Sequence, residues 1–239
     1  SKTIGSDIII LPEMFTTGFT LNVSACAEKM DGIGVRWLSH MANAHDCHMV
    51  GSLVIETNDP EKQYVNRLVW ACPNGKLMWY DKHHLFSIGE EHKVYTPGLD
   101  HLTIMVKGWR IRPFICYDIR FPVWTRNTKP HYDVSIFIAN WPAKRAHHWK
   151  SLLTARAIEN QCYVMGINRI GIDENKIPYQ GDSMAIDPQG QPIVAAGSSY
   201  EIITHSFSYD CLKNWRVQFP ALEDADPFLI QKNEQVQFV

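Results

Sequence analysis

The chain has 239 residues, 45% of them hydrophobic, and 23 Lys plus Arg against 25 Asp plus Glu leave a formal charge of -2. That length suits a single domain with a substantial core, and the charge balance excludes the basic surface that a nucleic-acid groove requires. No apolar run approaches the roughly 18 residues that span a bilayer, and the opening SKTIGSD has no signal-peptide character, so we expect no membrane partner. Six cysteines are scattered without a CxxC pair, the usage of a reducing compartment, with the cytoplasm as default. His45, Cys47 and His48 cluster, but no second pair follows at zinc spacing, so no metal is expected.

Taken in order, Ile8–Leu11 is a continuous apolar run, as in a strand buried on both faces, and it ends at Pro12-Glu13. A glutamate there is poorly placed for stability unless paired. Val35–Cys47 has helical periodicity, with Gly34 as its cap. Strands follow at 49–55, 64–71 and 76–80, the last two joined at Pro73-Asn74-Gly75, a hairpin signal. The polar stretch YDKHHLFSIGEEHKVYTPG is too long for a simple connection, and such loops tend to be functional.

A second hairpin, 101–106 with 110–117 about Lys107-Gly108, leads into Cys116. VSIFIA (134–139) is another buried strand, ending at Asn140-Trp141-Pro142. A helix is predicted over 145–160, then strands at 163–168, 183–186, 192–195 and 202–209. Cys211–Phe219 reads as a helix, and the tail from Pro220 as an arm that packs on something, a second subunit included. Strands with hairpins and few helices predict a mixed α/β sheet architecture.

The stretch RPFICYDIRFP carries the chemistry. An apolar run delivers Cys116 into the polar turn Tyr117-Asp118-Ile119-Arg120, the outline of a strand ending at a nucleophile. A lone cysteine is more often an inert buried residue, so the case rests on its companions. Glu13, Lys82 with Glu91, and Cys116 all lie at strand ends or in the loops after them, where open α/β sheets bind ligands. Together they form an acyl-transfer kit. The glutamate can take the thiol proton, while the lysine and the backbone N–H after the nucleophile can hold an oxyanion.

LPEMF around Glu13, YDKHHLF around Lys82 and FICYDIRFP around Cys116 occur in that order, 69 and 34 residues apart. They resemble the three motifs of the nitrilase (carbon–nitrogen hydrolase) superfamily, and the likeness continues through Asn140-Trp141-Pro142 and the ARAIENQ stretch. EMFTTGF, CYDIRFPVW and IANWPAKR most resemble the ω-amidases, which hydrolyse 2-oxoglutaramate and 2-oxosuccinamate. The resemblance implies one domain over residues 1–239, an α-β-β-α sandwich that becomes αββα-αββα in a homodimer. It also implies a cofactor-free Glu13-Lys82-Cys116 triad, with Glu91 orienting the lysine and Tyr117 offering its backbone N–H. Members of that superfamily carry a strand and a helix ahead of the LPE strand, whereas seven residues precede Ile8 here, so that segment is expected to be absent from this chain.

The expected substrate is therefore a small amide, attacked by Cys116 to give a thioester. A carboxylate on the substrate needs a cation, for which Arg145 is the candidate unless it is an ordinary surface arginine at a helix start. Trp141 either walls the pocket or belongs to the core, and Tyr64 is a further pocket candidate. Arg120 and Asp118 flank the cysteine and can pair with one another. The rival readings are another small-amide hydrolase, such as a carbamoylase, and a silent oligomeric scaffold of the same fold.

Overall fold

A computed structural model of the chain describes residues 5–230. The elements are β1 (Ile8–Ile10), α1 (Val23–Cys26), α2 (Ile33–His45), β2 (His48–Glu56), β3 (Tyr64–Ala71), β4 (Leu77–Asp81), β5 (Ile104–Val106), β6 (Trp109–Ile115), α3 (Pro122–Thr125), β7 (Val134–Ala139), α4 (Ala146–Asn160), β8 (Tyr163–Asn168), β9 (Ile170–Ile172), β10 (Pro178–Gln180), β11 (Met184–Ile186), β12 (Pro192–Ala195) and α5 (Tyr209–Gln218). One sheet has the order β1-β2-β3-β4 and the other β12-β11-β8-β7-β6-β5, with β9 and β10 as a separate hairpin. β1 runs parallel to β2, and β6, β7 and β8 are parallel, while the remaining pairs are antiparallel. The expected mixed architecture is the one observed.

Strand periodicity decides the layers. On β3, Asn66, Leu68 and Trp70 share one face; Leu68 and Trp70 join Val50, Tyr80, Phe114 and Phe137 in the core between the two sheets. On the other face, Val65, Val69 and Ala71 pack with Leu53 and Ile55 of β2 against Val35, Leu38 and Ala42 of α2. α4 covers the second sheet with Trp149, Leu153 and Ala157. The layering is α-β-β-α, and the central strands β2, β3 and β7 are buried on both faces, which is why strands such as 49–55 and 134–139 read as unbroken apolar runs.

The helix ends have local causes. Glu28 accepts hydrogen bonds from the backbone N–H groups of Gly34 (2.9 Å) and Val35 (2.8 Å), so α2 is capped by a distant carboxylate and starts at Ile33, ahead of the expected glycine cap. It ends at Asp46 in the left-handed region, which leaves Cys47 outside. The turn at Lys107-Gly108 has positive φ at both residues, as a two-residue hairpin demands.

One expectation is corrected. The strand expected at 202–209 is not formed among the described residues: 202–208 is irregular, with Ile202 and Ile203 exposed and Phe207 stacked on Tyr163, and Tyr209 begins α5. Between β8 and β11 lies the β9–β10 hairpin, closed through Tyr179↔Gly171. The arm from Pro220 anchors Leu222, whose N–H donates to Gln161, and Glu223, which pairs with Lys129. Its end, from residue 231 on, lies outside the described residues.

Gly166 on β8 lies under α4, where an added β-carbon would stand 2.9 Å from Trp149 Cζ2 and closer still to Leu153. Gly166→Ala should therefore destabilise the fold by about 1–3 kcal/mol, measured as a lower midpoint in denaturant unfolding.

Candidate active site

The chemistry collects where strands end. Glu13 follows β1, Lys82 follows β4, Cys116 follows β6 and Asn140 follows β7, all at carboxyl ends, where α/β sheets leave a crevice. Glu13, Lys82 and Glu91 are each buried to 1% exposure or less. The Lys82 ammonium donates to Glu13 Oε1 at 2.9 Å and to Glu91 at 3.0 and 2.9 Å. Of the adjacent glutamates only Glu91 belongs here, since Glu90 is exposed and pairs with Lys93.

Two asparagines complete the cluster, and the sequence reading assigned them no role. Asn66 donates through Nδ2 to Glu13 Oε1 (2.8 Å) and Glu91 Oε1 (3.3 Å). Asn140 donates its backbone N–H to Glu13 Oε2 at 2.8 Å and its side-chain amide to the Glu13 carbonyl at 2.8 Å. Phe86 N–H donates to Glu91 Oε2 at 2.6 Å. A polar residue inside YVNRLVWA, on the face shared with Leu68 and Trp70, was the available signal for Asn66.

Cys116 begins a short 3-10 turn, residues Cys116–Arg120, with φ of 44°. A non-glycine residue there costs on the order of 1–2 kcal/mol, and such strain concentrates at functional sites. Met14, beside Glu13, and Glu90, beside Glu91, also have positive φ.

Burial opposes the Lys82 charge, yet Glu13 and Glu91 together hold its pKa well above the ordinary lysine value. Burial pushes the Glu91 carboxyl up, against the pull of Lys82 and with the Glu13 charge adding to it. Burial pushes the Cys116 thiol well up, as does the negative charge of Glu13, while Lys82 pulls it down. The thiol thus holds its proton at rest, in the field of a buried carboxylate and a buried ammonium. That arrangement can run acyl transfer.

The other predicted residues divide. The Tyr117 ring packs edge-on to Phe86 at 5.2 Å. Arg145 holds its guanidinium over the Phe86 ring at 5.4 Å and has no carboxylate partner among the described residues. Trp141 is buried, donates to the Arg145 carbonyl at 2.8 Å and lies under the Arg120 guanidinium. Tyr64 packs against the small core of Met14, Val23, Val54 and Tyr95 and makes no bond to Glu13, Lys82 or Cys116. Arg120 and Asp118 do not pair: Arg120 binds His148 at 3.0 Å, and Asp118 faces inward. An open cleft of about 420 Å³ is lined by His83, His84, His92, Tyr117 and Phe121 among others. It borders the cysteine turn, although Glu13, Lys82 and Cys116 do not line it.

Lys82→Met leaves two carboxylates buried without a cation, so it should destabilise the protein by about 3–5 kcal/mol, read as a lower denaturation midpoint at neutral pH.

A carbon-nitrogen hydrolase family model matches residues 1–217. The chain is 44% identical over 226 residues to the omega-amidase YafV of Escherichia coli K12, covering 94% of this chain and 86% of that protein. It is 34% identical over 223 residues to the 2-oxoglutaramate amidase of Bacillus subtilis, covering 92% and 85%. The crystal structure of XC1258 from Xanthomonas campestris, a CN-hydrolase superfamily protein with an arsenic adduct in its active site, superposes with a TM-score of 0.92 at 44% identity, covering 95% of this chain and 87% of that one. Strand-end motifs, layered sheets and relatives agree: the chain belongs to the carbon-nitrogen hydrolase family.

Proposed function

We propose that this carbon-nitrogen hydrolase is a cysteine-dependent amidase that hydrolyses the terminal amide of a small ω-amido 2-oxo acid, such as 2-oxoglutaramate or 2-oxosuccinamate, to the dicarboxylic acid and ammonia. The observation that carries the chemistry is the buried Glu13–Lys82–Glu91 cluster gathered at the same strand ends that present Cys116. The substrate class is supported by the relatives named omega-amidase and 2-oxoglutaramate amidase.

Cys116 Sγ attacks the amide carbonyl while its proton passes to Glu13. The oxyanion of the tetrahedral intermediate rests between the Lys82 ammonium and the Tyr117 N–H. Glu13 returns the proton to the departing nitrogen, the C–N bond breaks, and ammonia leaves a thioester on Cys116. Glu13 then takes a proton from water as the oxygen adds to the thioester. The thiolate is expelled and reprotonated, and the acid departs. Glu91 stays hydrogen-bonded to Lys82 throughout and holds it in place.

Arg145 binds the substrate carboxylate. Its support is a guanidinium without a carboxylate partner among the described residues, carried on the aromatic group of Phe86 and Tyr117 that adjoins Cys116. Trp141 braces it from below through the Arg145 carbonyl. The protein acts as a homodimer in which two α-β-β-α units stack, supported by exposed apolar side chains on or next to the outer helices, Ile158, Val217 and Phe219. Six unpaired cysteines support a reducing compartment, the cytoplasm.

Purified protein should release ammonia from 2-oxoglutaramate without carbon dioxide, and Cys116→Ala should abolish release while leaving the fold intact by circular dichroism. Residual turnover within tenfold of the unsubstituted protein would sink the nucleophile assignment. Arg145→Ala should raise KM for 2-oxoglutaramate by about 10–100-fold, the loss of a charge-assisted carboxylate contact, and should leave KM for an uncharged aliphatic amide unchanged in steady-state assays.

A further inference from the structure

We propose that Asp118 is a positioning residue, a buried staple that fixes the Lys82 segment against the Cys116 turn. The inference rests on the roles assigned to Cys116 and Lys82 above.

Asp118 is fully buried. Its Oδ2 accepts from the Tyr80 hydroxyl at 2.7 Å and from the Ile115 N–H at 3.0 Å. Its Oδ1 accepts from the His84 N–H at 2.9 Å and lies 2.9 Å from His84 Nδ1. Tyr80 and His84 stand two residues before and two after Lys82, and Ile115 immediately precedes Cys116. One carboxylate therefore binds the chain on both sides of the lysine and at the foot of the nucleophile turn.

Its partners are themselves held. The Tyr80 hydroxyl accepts from Trp124 Nε1 at 3.0 Å, and the His84 ring stacks on Phe121 at 3.6 Å. Arg156 donates to the Ile119 carbonyl at 3.1 and 2.6 Å, which pins the far side of the turn. Among the described residues, the one ion pair of Asp118 is with His84. A buried carboxylate without a lysine or arginine is a poor choice for stability alone. It suits a place where backbone N–H groups and a hydroxyl must be gathered to a point, because only an acceptor with several lone pairs can take four donors. Cys116 occupies a strained conformation, so its turn needs such a tether to stay aimed at Lys82 and Glu13. Displacement of reacting groups by about 1 Å costs on the order of 100-fold in rate. The staple thus governs turnover and leaves substrate binding alone.

The test compares Asp118→Asn and Tyr80→Phe with the unsubstituted protein. Three quantities are measured: kcat and KM for 2-oxoglutaramate, the rate of Cys116 alkylation by iodoacetamide (mass spectrometry), and the folded fraction by circular dichroism. Asp118→Asn should lower kcat about 100-fold with KM within about threefold, and should change the alkylation rate of Cys116. Tyr80→Phe, which removes one donor of the four, should lower kcat by about 2–10-fold in a fully folded protein. The proposal is overturned if both folded variants keep kcat and the alkylation rate within twofold, or if KM rises while kcat holds. Should Asp118→Asn fail to fold, Tyr80→Phe decides by the same criterion. Alkylation needs no substrate, so a protein inactive on 2-oxoglutaramate would count against the amidase reading while the staple was still judged on Cys116.

Discussion

Two carboxylates and one ammonium are removed from water together, and the rest of the structure is arranged to make that tolerable. Taking each ion out of solvent costs several kcal/mol even after relaxation, and one lysine cannot balance two glutamates. The remaining lone pairs must be met by dipoles, and they are: the amide of Asn66, the backbone N–H of Asn140 and the N–H of Phe86 all aim at Glu13 or Glu91. Those donors come from β3, from the end of β7 and from the loop after β4. The cluster therefore forms only when the two sheets face one another in the observed register. Such a group is a weak contributor to stability, and it makes sense as part of the chemistry proposed above: a carboxylate and an ammonium held dry beside a thiol, where electrostatic forces are strongest.

The backbone bears part of the cost. Residues in the left-handed region sit at Cys116 and directly beside Glu13 and Glu91, so three separate chain segments are bent out of regular conformation to bring side chains to one point. Each is held by a specific bond: Met14 N–H to Ser52 Oγ at 2.8 Å, Glu90 N–H to the Ser87 carbonyl at 3.0 Å, and the Ile115 N–H to Asp118. The neighbouring scaffold keeps these positions by over-determining them.

Much of this was legible in the residues. Glu13 and Cys116 stood out because each follows an apolar run that ends abruptly at an ionisable group, and such endings are rare unless paired. The β strands at 49–55, 64–71, 134–139 and 163–168 were visible because sheets covered on both faces leave no polar alternation. What stayed hidden was whatever depends on contacts remote in sequence. Asn66 looked like a lone polar residue in a strand until Glu13 was packed against it. Asp118 looked like a partner for Arg120, but the 3-10 turn after Cys116 sends one side chain into the core and the other outward onto Trp141 and His148. At 202–209 local composition misled: Phe207 finds its place by stacking on Tyr163 and Tyr209 begins a helix, so these residues are placed by packing rather than by a strand ladder.

The hydrogen bonds from Asn140 to Glu13 span 127 residues of chain and that from Lys82 to Glu13 spans 69. Contacts so distant along the chain carry a heavy loop-closure entropy and form slowly in folding. The thiol, the carboxylate and the ammonium therefore come together only once both sheets have docked. In a partly folded chain Cys116 is an ordinary thiol, without that electrostatic setting. The chemistry proposed above thus belongs to the completed topology.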